Sequence, residues 1–261
     1  MVGDDAETRA TGKTSRRSGK RSPATCAGPR RAIREHVPVM ATPQAVVFDN
    51  DGLLLDTEEA WTRAEQTLFA KLGREFTTEH KRTLIGSSRS MAAVKLEAML
   101  ELPGEGERLM DELHELVMEE ALKGVSPRPG ALELLSHLTE AGIPLAVASN
   151  SERAFLERTL SSVGLIPDGP FHTTVSAGDI ERPKPAPDIY LEACRRLGAE
   201  PGASVALEDS PIGVAAASAA GMFVIAVPYL PGTPMPGSDL IAESLADASV
   251  ARAVGLSQAA A

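Results

Sequence analysis

The chain has 261 residues, of which 43% are hydrophobic and 24% charged, with a net charge of −10; that is an ordinary globular balance with enough length for a substantial core. Only two cysteines occur, Cys26 and Cys194, and the five histidines are scattered with no HExxH spacing, so a disulfide framework and thiolate or zinc-protease metal sites are set aside. No apolar run approaches the ~18–20 residues that cross a bilayer, and a reducing, cytoplasmic setting is expected.

Charge is unevenly spread. Residues 1–42 hold nine Lys or Arg against four Asp or Glu, which leaves the rest of the chain strongly acidic. The segment GKTSRRSGKRSPATCAGPRRA, Gly12–Ala32, has almost no large apolar residues and no helical period, so a disordered basic leader over 1–42 is expected. A basic tail could touch nucleic acid or an acidic surface, and an Arg/Ser-rich leader could be a transit peptide. Asp4, Asp5 and Glu7 suit a transit peptide poorly, and an apolar secretion segment is missing. A solvated extension is the preferred reading, with Met40 as an alternative start, no nucleic-acid partner and no membrane.

From Ala45 the chain alternates apolar runs with helical periods. Ala45–Phe48 reads as a strand buried on both faces. Four helical stretches follow with no strand between them; the first aligns Trp61, Ala64, Leu68 and Leu72, and a later one aligns Leu109, Leu113, Leu116 and Val117. Residues 57–126 therefore read as an inserted all-helical cap, and 43–56 with 127–261 as the core. A helix starting near Pro129 turns Leu134, Leu135 and Leu138 inward and stops at Gly142. The strand Ile143–Ser149 comes next, then a helix from Ser151 to about Val163, stopped by Gly164. A weak strand, His172–Ala177, precedes a helix opened by Pro187 as its first residue and closed by Gly198. After the strand Ser204–Glu208, Ser210 as N-cap and Pro211 as first residue begin a helix that ends at Gly221. Phe223–Val227 reads as the last strand. This alternation predicts an α/β fold: a Rossmann-like parallel sheet with helices on both faces.

Ligands of such sheets lie outside the carboxyl ends of the strands. The first strand delivers Asp49 and Asp51, the second Ser149 and Asn150, the loop after the third Lys184, and the fourth Glu208 and Asp209. Each has an ordinary alternative as a cap or loop residue, but all four ends being polar in one direction points to a site. Crowded carboxylates repel, and burial raises their pKa values, unless a cation is bound. With oxygen ligands only, a hard cation such as Mg²⁺ is the best match, and it commonly carries a substrate phosphate. Lys184 would hold another phosphate oxygen, and Ser149 would donate a hydrogen bond to it.

FDNDG at Phe48–Gly52, SN at Ser149–Asn150, RPKP at Arg182–Pro185 and LEDSPIGVAAASAAGM at Leu207–Met222 resemble, in order and spacing, the four motifs of the haloacid dehalogenase-like hydrolase superfamily. The similar subgroup has a helical cap after the first motif and includes β-phosphoglucomutase-like and phosphoglycolate phosphatase-like proteins; the match covers roughly residues 44–228. The resemblance implies Asp49 as the nucleophile that becomes an aspartyl-phosphate and Asp51 as general acid and base. It also implies Ser149, Asn150 and Lys184 around the phosphate. The metal would be held by Asp49, the backbone carbonyl of Asp51, and Asp209, with Glu208 nearby through water.

Asn50, between the two aspartates, is expected to point away from them. In the helical insertion, LIGSSR at Leu84–Arg89 resembles a substrate-contacting loop of the mutase relatives, so Arg89 is either a phosphate or carboxylate clamp or a solvated arginine at a helix start. Lys81, Lys95 and Lys123 give no obvious phosphonate-cleaving lysine. Trp61 stands where mutase relatives carry a histidine, and reads as packing at the cap–core seam. The expected function is an Mg²⁺-dependent phosphatase of small phosphorylated metabolites, with sugar phosphates foremost. A phosphomutase is the main alternative; a dehalogenase is disfavoured by Asp51, a second aspartate that branch does not need, and a non-catalytic phospho-ligand binder by the intact set of Asp49, Asp51, Lys184 and Asp209.

Overall fold

The computed structural model of the protein describes residues 42–256. The expected disordered leader, apart from Thr42, lies outside the described residues. In chain order the elements are β1 (Val46–Phe48), α1 (Glu58–Lys71), α2 (Thr78–Leu84), α3 (Arg89–Leu100), α4 (Gly106–Ala121), α5 (Ala131–Glu140), β2 (Leu145–Ala148), α6 (Arg153–Ser162), β3 (Thr173–Val175), α7 (Asp188–Leu197), β4 (Val205–Glu208), α8 (Pro211–Ala219), β5 (Phe223–Ala226), β6 (Leu240–Ile241) and α9 (Ala248–Ala253).

The six strands pair in the order β3-β2-β1-β4-β5-β6, every pair parallel. Side chains alternate between the two faces of a strand, and the sequence exploits this. Val46, Phe48, Leu145, Val147, Val205 and Leu207 pack with residues of α5, α6 and α9. Val47, Ala146, Ala148 and Ala206 pack with α7 and α8, whose own contributions include Ala193, Ala216 and Ala217. Small residues on both sides of that second interface let helix and sheet approach closely. Burying each large aliphatic residue, such as Leu138 or Leu145, contributes roughly 1.5–3 kcal/mol.

Two elements were not expected. β6 is two residues long with Ile241 58% exposed, so an edge strand this short leaves no apolar run to read. The six residues of α9 give too few turns for a period, and the helix is marked instead by its cap: the Asp247 carboxylate accepts from Ser249 N. Two boundaries also shift. Pro187 sits at the N-cap of α7 rather than inside it, and α5 begins after Gly130, whose φ is +83°.

The helices α1–α4 gather a third apolar cluster from Ala64, Leu68, Phe69, Leu96, Leu109, Leu113 and Val117, joined by Phe155 of α6. Trp61 is half-buried at that seam, its ring 5.4 Å from the Phe155 ring. The chain runs from β1 outward to β2 and β3, then returns to the other side of β1 as β4. Ligands bind at such a reversal of strand order, above the carboxyl ends. Asp49 and Asp209 follow those two strands directly. No helix among the described residues is long and apolar enough to cross a membrane.

Candidate active site

The carboxyl end of β1 is tied to β4 by the Asp49 N–H, which donates to the Leu207 carbonyl at 3.0 Å. Into the corner between them comes Lys184. Its ammonium donates to Asp49 Oδ1 and Glu208 Oε1, both at 2.6 Å, and to the Ala148 carbonyl at 2.9 Å, so all three of its protons are engaged. Tyr190 on α7 donates its hydroxyl to the same Glu208 oxygen at 2.5 Å. Asn150 holds the lysine loop: its Oδ1 accepts from Lys184 N at 2.9 Å, and its amide donates to the carbonyls of Lys184 and Gly86. Asn150, expected at the phosphate, thus serves as a brace reaching from the sheet end to the helical layer.

Burial pushes the Asp49 carboxyl up; the Lys184 ammonium opposes this, while Glu208 and Asp51 add to it. Asp209 is pushed up by burial first, then by the charges of Asp49, Glu208 and Glu58, with Lys184 again opposing. Desolvation works against the Lys184 ammonium, but Asp49 and Glu208 outweigh it and hold it charged. Asp209 Oδ2 is buried with no hydrogen-bond partner among the described residues. One oxygen each from Asp49, Glu208 and Asp209 lies within 4.8 Å of the others. Three carboxylates against one ammonium, offering only oxygen and one bare lone-pair site, fit a hard divalent cation. Two glycines make room for this set. A Cβ on Gly52, whose φ is +86°, would fall 2.3 Å from Asp209 Oδ2, and one on Gly213 would fall 1.9 Å from Glu208 Oε1.

Asp51 is placed differently. Its Oδ2 accepts from Ser149 Oγ at 2.7 Å and Ser151 Oγ at 2.8 Å, and its Oδ1 accepts from Thr57 Oγ1 at 2.8 Å and Asn50 Nδ2 at 3.2 Å. Its carboxylate therefore lies outside the acidic group. Two expectations change here. Asn50 does not point away from the aspartates: a fully buried amide needs partners, and its nitrogen donates to Asp51 Oδ1 at 3.2 Å and to Thr159 Oγ1 at 3.4 Å. Ser149 is fully buried and its hydroxyl is committed to Asp51, so it does not stand free for a phosphate. Thr57, Ser151 and Tyr190 were not singled out in the sequence, where hydroxyl residues beside helix starts read simply as caps.

Above these residues lies a cavity of about 100 Å³, lined on the helical side by Glu58, Trp61, Glu65, Lys81 and Arg89. Lys81 is buried between two carboxylates, with Nζ 2.5 Å from Glu58 Oε2 and 3.2 Å from Glu65 Oε2. Desolvation opposes the Lys81 charge, but the two glutamates outweigh it. Burial lifts Glu65 to about 7, against the pull of Lys81. This triad was also missed, although Glu58 and Glu65 are seven apart on α1 and hence share its buried face. Arg89 is neither a free clamp nor solvated: it pairs with Glu107 at 3.1 Å and Asp111 at 2.6 Å on α4, and with Glu152 at 2.9 Å before α6.

With that geometry in place, the family described as haloacid dehalogenase-like hydrolase matches residues 46–227. The chain belongs to this family. The hydrolase is 33% identical over 211 residues to hexitol phosphatase A of Escherichia coli, covering 79% of this chain and 93% of that protein. It is 34% identical over 186 residues to the bifunctional riboflavin kinase/FMN phosphatase of Arabidopsis thaliana, covering 71% of this chain. There it spans only about half, 48%, of the relative's length. Among solved structures, CbbY from Rhodobacter sphaeroides in complex with phosphate superposes with a TM-score of 0.69 at 29% identity, over 78% of this chain and 96% of that one.

Proposed function

We propose that this hydrolase is an Mg²⁺-dependent phosphatase of small phosphorylated metabolites, sugar monophosphates foremost, working through an aspartyl-phosphate on Asp49. One observation carries the reading: a buried carboxylate, Asp49, is held by a fully charged lysine on one side and by an acidic pair with an unpartnered oxygen on the other. Asp49, Asp209 and Glu208, with the Asp51 backbone carbonyl, would hold the ion, which supplies positive charge to the oxygens of the transferring group.

An Asp49 oxygen attacks phosphorus as the bond to the leaving oxygen breaks, and Asp51 delivers a proton to that oxygen. In the second half Asp51 takes a proton from a water whose oxygen displaces Asp49, releasing inorganic phosphate and restoring the carboxylate. The hydroxyl cradle around Asp51 suits both states, since Ser149, Ser151 and Thr57 can donate to a carboxylate and, rotated, accept from a carboxylic acid. Uncatalysed monoester hydrolysis calls for up to ~10²¹-fold acceleration. Most of this must come from charge fixed around the phosphoryl oxygens, to which Lys184 would contribute its charge from its place against Asp49 Oδ1, all three of its protons being engaged by protein oxygens. A 100 Å³ cavity is below the roughly 300 Å³ of a typical ligand pocket, so α1–α4 act as a lid that opens for substrate and then excludes water.

The rival reading, a phosphomutase, needs a second group to manage the acid/base residue; Trp61 occupies that position, and an indole only donates a hydrogen bond. The proposed setting is the cytoplasm, with which the buried free thiol of Cys194 is compatible. The test is phosphorus NMR of glucose 1-phosphate with enzyme and Mg²⁺. Free phosphate, lost in Asp49→Asn, is expected; clean conversion to the 6-phosphate, or an active Asn variant, refutes the assignment.

A further inference from the structure

Every cation facing the outer half of the cavity is already matched or outnumbered by acids. Lys81 lies between Glu58 and Glu65, and all three are at least 93% buried (relative exposures 7%, 5% and 3%). Arg89 meets Glu107, Asp111 and Glu152. A buried ammonium with one carboxylate would retain a face for a substrate anion; the second carboxylate removes it. What the wall does offer is paired donors and acceptors beside the Trp61 and Phe155 rings, which lie 5.4 Å apart. Such a wall can exchange hydrogen bonds with hydroxyls and pack against C–H faces. It repels a second phosphate or a carboxylate, because a buried like charge without a partner is strongly disfavoured.

We infer that the Glu58–Lys81–Glu65 triad selects the leaving group, admitting an uncharged polyol or sugar and rejecting one that bears a second anion, with Glu65 as the residue that closes Lys81 to anions. The inference rests on the phosphatase reading and names the substrate class of that same site. The triad lies wholly on α1 and α2, so it stays assembled when those helices move away from the sheet. The Arg89–Glu152 pair, which links α3 to the segment before α6, must part in that motion. Glu65 is well placed for the role: burial raises its carboxyl to about 7, so near neutral pH it can donate to a hydroxyl in one state and accept from it in the other.

The experiment compares kcat/KM, with Mg²⁺, for two matched pairs: glycerol 1-phosphate against 3-phosphoglycerate, and glucose 1-phosphate against glucose 1,6-bisphosphate. Within each pair only the charge of the leaving group changes greatly. The wild-type protein is expected to favour the uncharged leaving group by about 10-fold or more, which is about 1.4 kcal/mol. Glu65→Gln, which leaves Lys81 with one carboxylate, is expected to shift both ratios by about 10-fold toward the anionic substrates. A ratio does not depend on how much of the variant is folded, so partial misfolding does not obscure the result. Wild-type preference for 3-phosphoglycerate or the bisphosphate, or ratios unmoved by Glu65→Gln, overturns the inference while leaving the phosphatase standing. Wild-type failure to release phosphate from p-nitrophenyl phosphate with Mg²⁺ overturns the phosphatase reading itself.

Discussion

Replacing Lys184 with methionine keeps the aliphatic stem and removes only the ammonium. Asp49 Oδ1, Glu208 Oε1 and the Ala148 carbonyl each lose a donor at 2.6–2.9 Å, and three buried carboxylates lose their one close countercharge. Removing one partner of a buried ion pair costs ~3–5 kcal/mol, a large part of the ~5–15 kcal/mol that holds a typical domain. The cost should depend on pH with a definite sign. Asp49 and Asp209 are already raised above their ordinary values by burial, with Lys184 opposing, so its loss raises both further. A carboxyl whose folded pKa lies above its unfolded one binds more protons when folded, so its contribution is present at low pH and lost as pH rises through the folded pKa. The variant's deficit should therefore be greatest near pH 8 and shrink toward about pH 5.5, and Mg²⁺ should narrow it at the higher pH by binding only the folded state. Urea unfolding of both proteins at the two pH values, with and without Mg²⁺, measures this. Turnover should fall by ~10²–10³ even where the variant is folded. A deficit that is the same at both pH values, or smaller than 1 kcal/mol at about pH 8, would refute this account of the cluster.

Two further outcomes follow from packing and burial. Gly52→Ala puts a methyl 2.3 Å from Asp209 Oδ2 at a φ of +86°; the strain costs roughly 1–2 kcal/mol, and the displaced carboxylate should weaken apparent Mg²⁺ affinity in an activity titration, whereas unchanged affinity would mean Asp209 is not a ligand. Glu65→Gln should flatten stability against pH: the wild-type Glu65 contribution is lost between about 4.5 and about 7 as pH rises, a difference of about 3 kcal/mol at most, so melting curves of the two proteins should diverge across that window, the variant gaining, and parallel curves would count against a buried, proton-binding Glu65.

What could be read from the sequence was whatever a short apolar run and its following residues specify together. Val46–Phe48 ends in Asp49, Val205–Glu208 ends in Asp209, and the alternation of such runs with helices fixes which ends share a rim. Ser210 and Pro211 mark the start of α8 as expected, since an N-cap and a first-turn proline are local signals. Contacts between distant segments were hidden. That Ser149 bonds Asp51, 98 residues away, rather than a phosphate depends on the approach of β2 to β1. The triad of Glu58, Lys81 and Glu65 depends on how α2 crosses α1, and a lysine and two glutamates in helices otherwise read as a solvated face. Arg89 could be called a clamp only while its three acidic partners, 18 to 63 residues away, were out of sight.

The two buried charge clusters obey the same electrostatics and arrive at different ends. At the sheet, three carboxylates share one lysine and Asp209 keeps an oxygen with no partner among the described residues, so acids exceed cations, and burial raises Asp49 and Asp209 as long as no further cation is bound. The cluster should not bind a phosphate dianion until positive charge arrives from outside. In the helices, two carboxylates share one lysine, and the one lifted to about 7 can take up a proton, so that cluster reaches neutrality by itself. A phosphorylated sugar presents the complementary asymmetry, with a dianionic end and an uncharged, hydroxyl-bearing end. On the proposed reading its phosphate would go to the sheet cluster, where a cation is lacking, and its hydroxyls to the helical cluster, where charge can balance by itself. On that reading a cation held at the sheet would govern which end of such a substrate binds as well as how fast its phosphoryl group is transferred.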